Sequence, residues 1–275
     1  MMPRNTDLTE ANRRFWDELC GTALARSLGI KDHTADSLTK FDHAYMALYP
    51  YLLRHVPVES FAGLRVLEVG LGYGTLGQKI AQSCLSYAGL DVAYGPVEMM
   101  RHRLGLLGVA GDLVQGSMLD APFPDASFER VVSIGCFHHT GDTQRCLDET
   151  WRLLRPGGIA CLMVYNRFSA LHWKRWPART LVEWLAERGL DRRGTPLSAD
   201  ERVVYDLNIA GVAAPETEFF STRQLNRMLR RFRRVKLSKE NFGSIALGPV
   251  VIPRRILLYN LGRVAGLDIY VRAEK

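Results

Sequence analysis

Three glycines, one acid and a histidine pair carry most of the chemistry legible in this sequence. Gly70, Gly72 and Gly74 follow the short apolar run Val66, Leu67, Val69 and precede a helical stretch beginning near Thr75. Glycine tolerates positive φ and lets a ligand lie against the backbone. A turn of this kind, between a strand's carboxyl end and a helix's amino end, is where open α/β sheets bind nucleotides. The G-x-G-x-G spacing, with Glu68 just before it, departs from the dinucleotide G-x-G-x-x-G fingerprint. Asp91 stands about 20 residues further on, where Rossmann-like sites place a carboxylate on ribose hydroxyls; its other reading is a helix N-cap. His138 and His139 follow a later apolar run, and histidine exchanges protons near neutral pH. Each could act on a substrate or simply pin its loop. Tyr165 and Asn166 close a further strand, as strand-end groups or as hydrogen-bond partners for a ligand.

The elements that must position these residues alternate. Ser86–Asp91 reads as a second strand, with a helix from Tyr94. A third strand near Asp112–Gln115 leads into Gly116, Ser117 and Met118. A fourth, Phe128–Ile134, ends in Gly135-Cys136-Phe137-His138-His139-Thr140. A helix over about 142–154, the turn Arg155–Gly158 and a fifth strand, Ile159–Tyr165, follow. Ahead of this core, apolar residues at three-to-four spacing predict helices over Asn12–Leu28 and Ser37–His55, with Pro57 ending the second. Beyond it come a stretch rich in Trp, Arg and Pro up to about Glu216, a helix over Phe219–Arg231, a strand over Phe232–Glu240 and a closing strand over Leu267–Lys275.

In its motifs the chain resembles the class I S-adenosylmethionine-dependent methyltransferases, in the branch with the methyltransferase type 11 domain. The marks are LEVGLGYGT at 67–75, GLD at 89–91, PFPDASFERVVS at 122–133, HHTGD at 138–142 and LRPGG at 154–158, in family order. The resemblance implies an α/β fold with a Rossmann-like seven-stranded sheet, mostly parallel with an antiparallel C-terminal hairpin. The residue pattern divides the chain into a helical cap over 1–60 and a methyltransferase domain over 61–275, with a lid insertion at about 167–216 and a second insertion at about 243–266. The implied cofactor is S-adenosyl-L-methionine, leaving as S-adenosyl-L-homocysteine, with no metal expected. Gly70, Leu71, Gly72 and Gly74 would pass beneath its methionine part, and Glu68 would fix that loop or the amino group. Asp91 would accept from the ribose, Val92 would pack on adenine, and Ser117 with Met118 stands where many relatives place an Asp for the adenine amine. Gly135 and Cys136 would line the methionine end, and Trp16, with Phe15, could close over the cofactor. His138, His139, Tyr165 and Asn166 are the catalytic candidates, because the family's acceptor pocket opens past the fourth strand. Cys136 lacks the Pro-Cys context of cytosine-C5 methyltransferases, so a covalent role is not expected.

Composition sets bounds. The 275 residues suffice for one large domain with additions. The first residues lack an apolar leader segment and no window reaches a membrane-spanning length, so the expected setting is cytoplasmic. The 5 cysteines are scattered and never form C-x-x-C, which argues for reduced thiols and against a zinc site. Residues 166–275 carry 21 Lys and Arg against 11 Asp and Glu, so the basic character sits away from the glycine loop. Much of it lies over 223–236, where Leu225, Met228, Leu229 and Phe232 are spaced for one buried face. A solvated helix flank or a patch for an anionic partner both suit that pattern. The Trp-rich segment 171–176 and Trp184 would form a lid, either touching an apolar substrate or packing among themselves. The basic stretch 250–264 reads first as packed on the core.

Three functions follow: a methyltransferase acting on a small molecule at O, N or C, an RNA methyltransferase using the basic third, or a binder of the cofactor without turnover. Nucleic acid is the less expected partner, since the Asp/Asn-Pro-Pro-aromatic signature is absent and HHT stands in its place. The acceptor and the oligomeric state are not legible.

Overall fold

The alternating apolar runs form one sheet. In a computed structural model describing residues 5–187, 194–247 and 250–275, eleven strands are formed. They are β1 (Arg65–Val69), β2 (Ser86–Asp91), β3 (Asp112–Gln115), β4 (Phe128–Ile134), β5 (Leu154–Asn166), β6 (Thr195–Pro196), β7 (Glu218–Phe220), β8 (Arg234–Glu240), β9 (Ile245–Leu247), β10 (Val250–Ile252) and β11 (Asp268–Glu274). The main path runs β3-β2-β1-β4-β5-β11-β8, with β7 beside the end of β5 and β6 beside β7. β1 to β5 pair in parallel, and β11 is antiparallel to both β5 and β8. This is the expected Rossmann-like sheet with its antiparallel edge. Because β1 lies between β2 and β4, the chain reverses direction across the sheet there. The carboxyl ends of β1 and β4 therefore flank the crevice in which such sheets bind ligands.

Buried parallel strands place apolar side chains on both faces. Leu67, Val69, Val131, Leu162 and Ile269 pack under the helix Thr143–Leu153 and the segment holding Leu225, Leu229 and Phe232. On the opposite face, Val66, Val132 and Met163 pack against Ile80 and Met100, and against Tyr51, Leu52 and Phe61 from the N-terminal region. The helix Thr222–Met228 thus buries its apolar face as its spacing predicts.

Three helix expectations need correction. The stretch expected as Asn12–Leu28 is two helices, Asn5–Trp16 and Thr22–Ser27. Gly21 separates them at φ 107, where a Cβ would stand 2.7 Å from the ring of Phe41. Ser37–His55 likewise divides into Ala35–Leu48 and Leu52–His55, because Pro50 lacks an N–H and disfavours helical backbone at the residue before it. Phe219–Arg231 begins as β7, and only after Ser221 does the helix Thr222–Met228 start. Ser221 and Gln224 cap it reciprocally, a local signal that outweighs the apolar spacing upstream.

The N-terminal helices are fastened to the glycine loop by one buried arginine. Arg103 is 0% exposed. Its Nε donates to the Tyr73 carbonyl at 2.7 Å, and its two Nη atoms each reach an Asp42 carboxylate oxygen at 2.9 Å. Thr75 donates to the same carboxylate. Asp42 belongs to the helix Ala35–Leu48, so this bidentate pair ties the cap to the turn that follows β1. In the region 167–216, the helices Ala170–Arg175, Pro177–Ala186 and Ala199–Arg202 are described. The stretch 250–264, expected to pack on the core, does so through Leu257 and Leu258, while Ile256, Tyr259 and Val264 stay exposed. No described helix is long and apolar enough to cross a membrane.

Candidate active site

A cavity opens where the strand order reverses. Its floor is the glycine loop after β1, its sides are the ends of β2 and β4, and its roof is the N-terminal region. The loop fits the requirement for close backbone approach. Gly70 sits at φ +83, and a Cβ there would stand 2.6 Å from the Cβ of Cys136, so only glycine lets β1 and β4 end this near one another.

Asp91 ends β2 inside the cavity. Its Oδ2 accepts the Leu71 N–H at 2.8 Å and its Oδ1 accepts the Ala93 N–H at 2.9 Å. Each oxygen retains a lone pair, so the N-cap reading and the ligand reading are compatible. Burial pushes its carboxyl up to about 6, against the lowering effect of those backbone donors. Glu68, fully desolvated, is pushed up to about 8 and receives the Tyr87 hydroxyl. Desolvation thus favours the protonated form of Glu68.

Of the residues expected around a cofactor, Glu68, Gly70, Leu71, Gly72, Gly74, Asp91, Val92, Ser117, Met118, Gly135, Cys136 and Trp16 all line this one cavity. Ser117 also accepts the Leu119 N–H. Burial pushes the Cys136 thiol up to about 12, which leaves it a poor nucleophile.

The catalytic candidates separate. His139 lines the cavity, with the Trp16 ring 4.8 Å away. Its Nδ1 lies 2.6 Å from the Glu216 carbonyl, and its own carbonyl accepts from Asn12. Burial holds its imidazole below the ordinary value. His138 lies behind it, 0% exposed, with ring centroids 4.2 Å from both His139 and Tyr165. Burial depresses it far more strongly. Tyr165 donates to Asp206 at 3.2 Å instead of facing the cavity. Asn166 is not free to serve an acceptor. Its amide donates to the Gly266 carbonyl and its side-chain oxygen receives the Phe168 N–H, so it braces the end of β5.

The tryptophans of the 167–216 region do not line the cavity. Trp184 is 54% exposed, and Trp176 packs with His172 beside Tyr205 and Phe219. That region reaches the site through Asp206, whose Oδ2 lies 3.7 Å from His139 Nε2. Asp206 follows the helix Ala199–Arg202 in irregular chain, with no periodicity or motif to flag it. Asn12, Cys20 and Tyr45 also line the cavity. Cys20 is delivered by the break between the two helices at Gly21, which apolar spacing alone does not reveal.

An open α/β sheet with a glycine loop, a buried carboxylate at the next strand end and a cavity at the switch point is the arrangement in which such sheets bind nucleotides. Residues 67–162 match the family described as a methyltransferase domain. The chain is 30% identical over 170 residues to a fatty-acid O-methyltransferase of Mycolicibacterium smegmatis, covering 60% of this chain and 58% of that one. It is 33% identical over 137 residues to a 2-methyl-6-phytyl-1,4-hydroquinone methyltransferase of Oryza sativa, covering 46% and 41%. The chain thus spans roughly half the length of these curated relatives. Among solved structures, an S-adenosylmethionine-dependent methyltransferase from Mesorhizobium loti superposes with a TM-score of 0.57 at 18% identity, over 83% of this chain and 98% of that one. One from Thermotoga maritima gives 0.52 at 18% identity, over 85% and 93%. Residues 67–162 thus match a methyltransferase domain, and the sheet has the fold of solved S-adenosylmethionine-dependent methyltransferases.

Proposed function

We propose that this protein transfers a methyl group from S-adenosylmethionine to a small, largely apolar acceptor. The observation that carries the reading is the meeting of three features in one cavity: the glycine loop, the Asp91 carboxylate and the His139 imidazole. Their residues fit the cofactor. Asp91 has lone pairs left for two ribose hydroxyls, the Gly70–Gly74 turn leaves room for the methionine part, and Val92 with Met118 offers an apolar seat for adenine. Ser117 borders that seat, Gly135 and Cys136 border the methionine end, and Trp16 covers the far wall. Glu68 accepts the Tyr87 hydroxyl and so ties β1 to β2 just before the loop.

When bound, the cofactor supplies an electrophilic methyl group for in-line displacement. The protein's own part is to align, desolvate and manage a proton. His139 stands at the acceptor wall with Nε2 unprotonated and takes the proton that an O–H acceptor loses. His138 and Tyr165 hold that wall, and the N-terminal helices exclude water. The relatives named for fatty-acid and phytyl-hydroquinone methylation suggest acceptors with long apolar chains. The basic segment 223–236 favours the solvated-flank reading, since Arg231 pairs with Asp148 and lies over Trp151 while Arg234 pairs with Glu274.

Calorimetry with S-adenosylhomocysteine, then methyl transfer from radiolabelled S-adenosylmethionine to alkyl phenols, alcohols and fatty acids, tests the proposal. Saturable binding and labelled product are expected. Absence of binding would refute it; binding without product on any acceptor would leave the non-catalytic reading in its place.

A further inference from the structure

The acceptor wall holds more hydrogen-bond acceptors than donors. A carbonyl only accepts, so His139 Nδ1, at 2.6 Å from the Glu216 carbonyl, carries the ring hydrogen. Nε2 is then left with a lone pair, and Asp206 Oδ2 lies 3.7 Å away. That oxygen is buried and makes no hydrogen bond among the described residues, while Oδ1 receives the Tyr165 hydroxyl. Neither ring nitrogen of the adjacent His138 has a described partner either. Two lone-pair groups facing each other in a buried wall are unfavourable until a group bearing a hydrogen enters.

We infer that Asp206 is a positioning residue for methyl transfer, acting through His139, and that the pair selects a neutral O–H acceptor over a carboxylate. This rests on the methyltransferase reading above. The acceptor hydrogen passes to His139 Nε2, and the oxygen's electron pair forms the bond to the methyl carbon. The S–CH3 bond breaks with its pair left on sulfur. The new Nε2–H then lies against Asp206 Oδ2, which holds the imidazolium until the proton leaves to water. A carboxylate brings no hydrogen and sets a second anion against Oδ2 where water is excluded.

The charged and titratable groups facing His139 support this assignment. Asp206 and Glu216 favour its protonated form, whereas Arg202 and burial oppose it. Arg202 is anchored on the Ala214 and Leu197 carbonyls, which fixes its place beside the ring. His138 stays neutral through burial, and the Tyr165 hydroxyl is engaged on Oδ1. Asp206 is therefore the foremost group available to stabilise the imidazolium.

The test uses the full chain loaded with S-adenosylhomocysteine and labelled with 15N in its histidine rings. In D206N the His139 titration should move down by about one pH unit, and D206E should lie close to wild type. Calorimetry at pH 8 should show para-dodecylphenol binding wild type at least about tenfold more tightly than dodecanoate, with the gap narrowed in D206N. An unmoved His139 titration in a folded D206N, or a phenol no tighter than the carboxylate, overturns the inference. If D206N does not fold, a D206E titration displaced from wild type by a unit or more overturns it instead. Failure to bind S-adenosylhomocysteine at the loading step strikes the methyltransferase reading itself and is seen before either measurement.

Discussion

The two halves of the cavity are built in opposite ways. The cofactor half comes from the ends of β1 to β4 and the turns that follow them, within 68–136. The half proposed for the acceptor is assembled from Asn12, Trp16 and Cys20 in the N-terminal region and His139 after β4, with Asp206 of the 167–216 region 3.7 Å from the His139 ring but outside the lining. A site made of strand ends inherits its geometry from the sheet, because parallel registers fix where each strand stops. A site made from distant segments depends on contacts that hold those segments in place, and here they are Arg103–Asp42, Asn12 on the His139 carbonyl and Tyr165 on Asp206. The first half can therefore bind a shared cofactor across a family, while the second can change with the acceptor.

Gly70→Val should break the cofactor half outright. The added Cβ meets Cys136 at 2.6 Å and the backbone is held at φ +83, so the loop must move. No measurable S-adenosylhomocysteine binding is expected by calorimetry from a protein that still shows a cooperative melt. Normal affinity would mean that the glycines serve packing alone.

Arg103→Ala should break the join between the halves. It leaves the Tyr73 carbonyl without its side-chain donor and Asp42 with only Thr75 of the partners described above, a loss of about 3–5 kcal/mol for a disrupted buried pair. Chemical denaturation checks the magnitude. Hydrogen exchange should show the loss of protection concentrated in 35–55 and 70–78 while β4 and β5 stay protected.

The sequence made the first half legible because each of its residues is tied to a strand end by short-range rules. Val69 leads to Gly70, Leu90 to Asp91 and Ile134 to Gly135, and periodicity finds the strands. The sheet order and the antiparallel β11 came with the family resemblance rather than with any one residue. The second half was legible only at Trp16 and His139. Asp206 lies in irregular chain, and only the fold brings it within 3.7 Å of a residue 67 positions earlier. Asn166 shows the converse error, since its place at a strand end resembled a site position while its amide closes the turn to Gly266. Trp184, which suggested an apolar lid contact, points away from the cavity for the same reason: spacing does not say which neighbour a side chain meets.

His139→Gln and His138→Gln sharpen the comparison inside the acceptor half. Replacing the proton acceptor at His139 should lower kcat by about 10²–10⁴-fold with cofactor affinity kept. His138→Gln should act through the wall, raising KM and lowering Tm, because the ring is buried against Tyr165 and does not line the cavity. Steady-state kinetics on the acceptor identified by the labelling assay separates the two. Equal kcat losses would mean that the histidines act as one unit; wild-type kinetics in both would remove them from the chemistry.

The smallest effect tests whether Asp91 serves the cofactor or only its own loop. Asp91→Ala removes charge-assisted bonds to the ribose, each worth about 1.5–3 kcal/mol, so affinity should fall at least about tenfold. It also strands the Leu71 and Ala93 N–H groups, so some stability is lost with it. The pH dependence tells the two roles apart. Burial raises this carboxyl from 3.8 to about 6. Because the folded value is the higher one, the group's contribution to the stability of the free protein is present at low pH and is lost as pH rises through about 6. Cofactor binding has the opposite sign, because a protonated Asp91 offers one acceptor fewer to the ribose. Affinity should therefore be full above about 6 and fall below it, and the Asp91→Asn variant should show neither trend. Calorimetry from pH 5 to 8 measures it, and a wild-type affinity flat across that range would leave Asp91 as a loop brace alone.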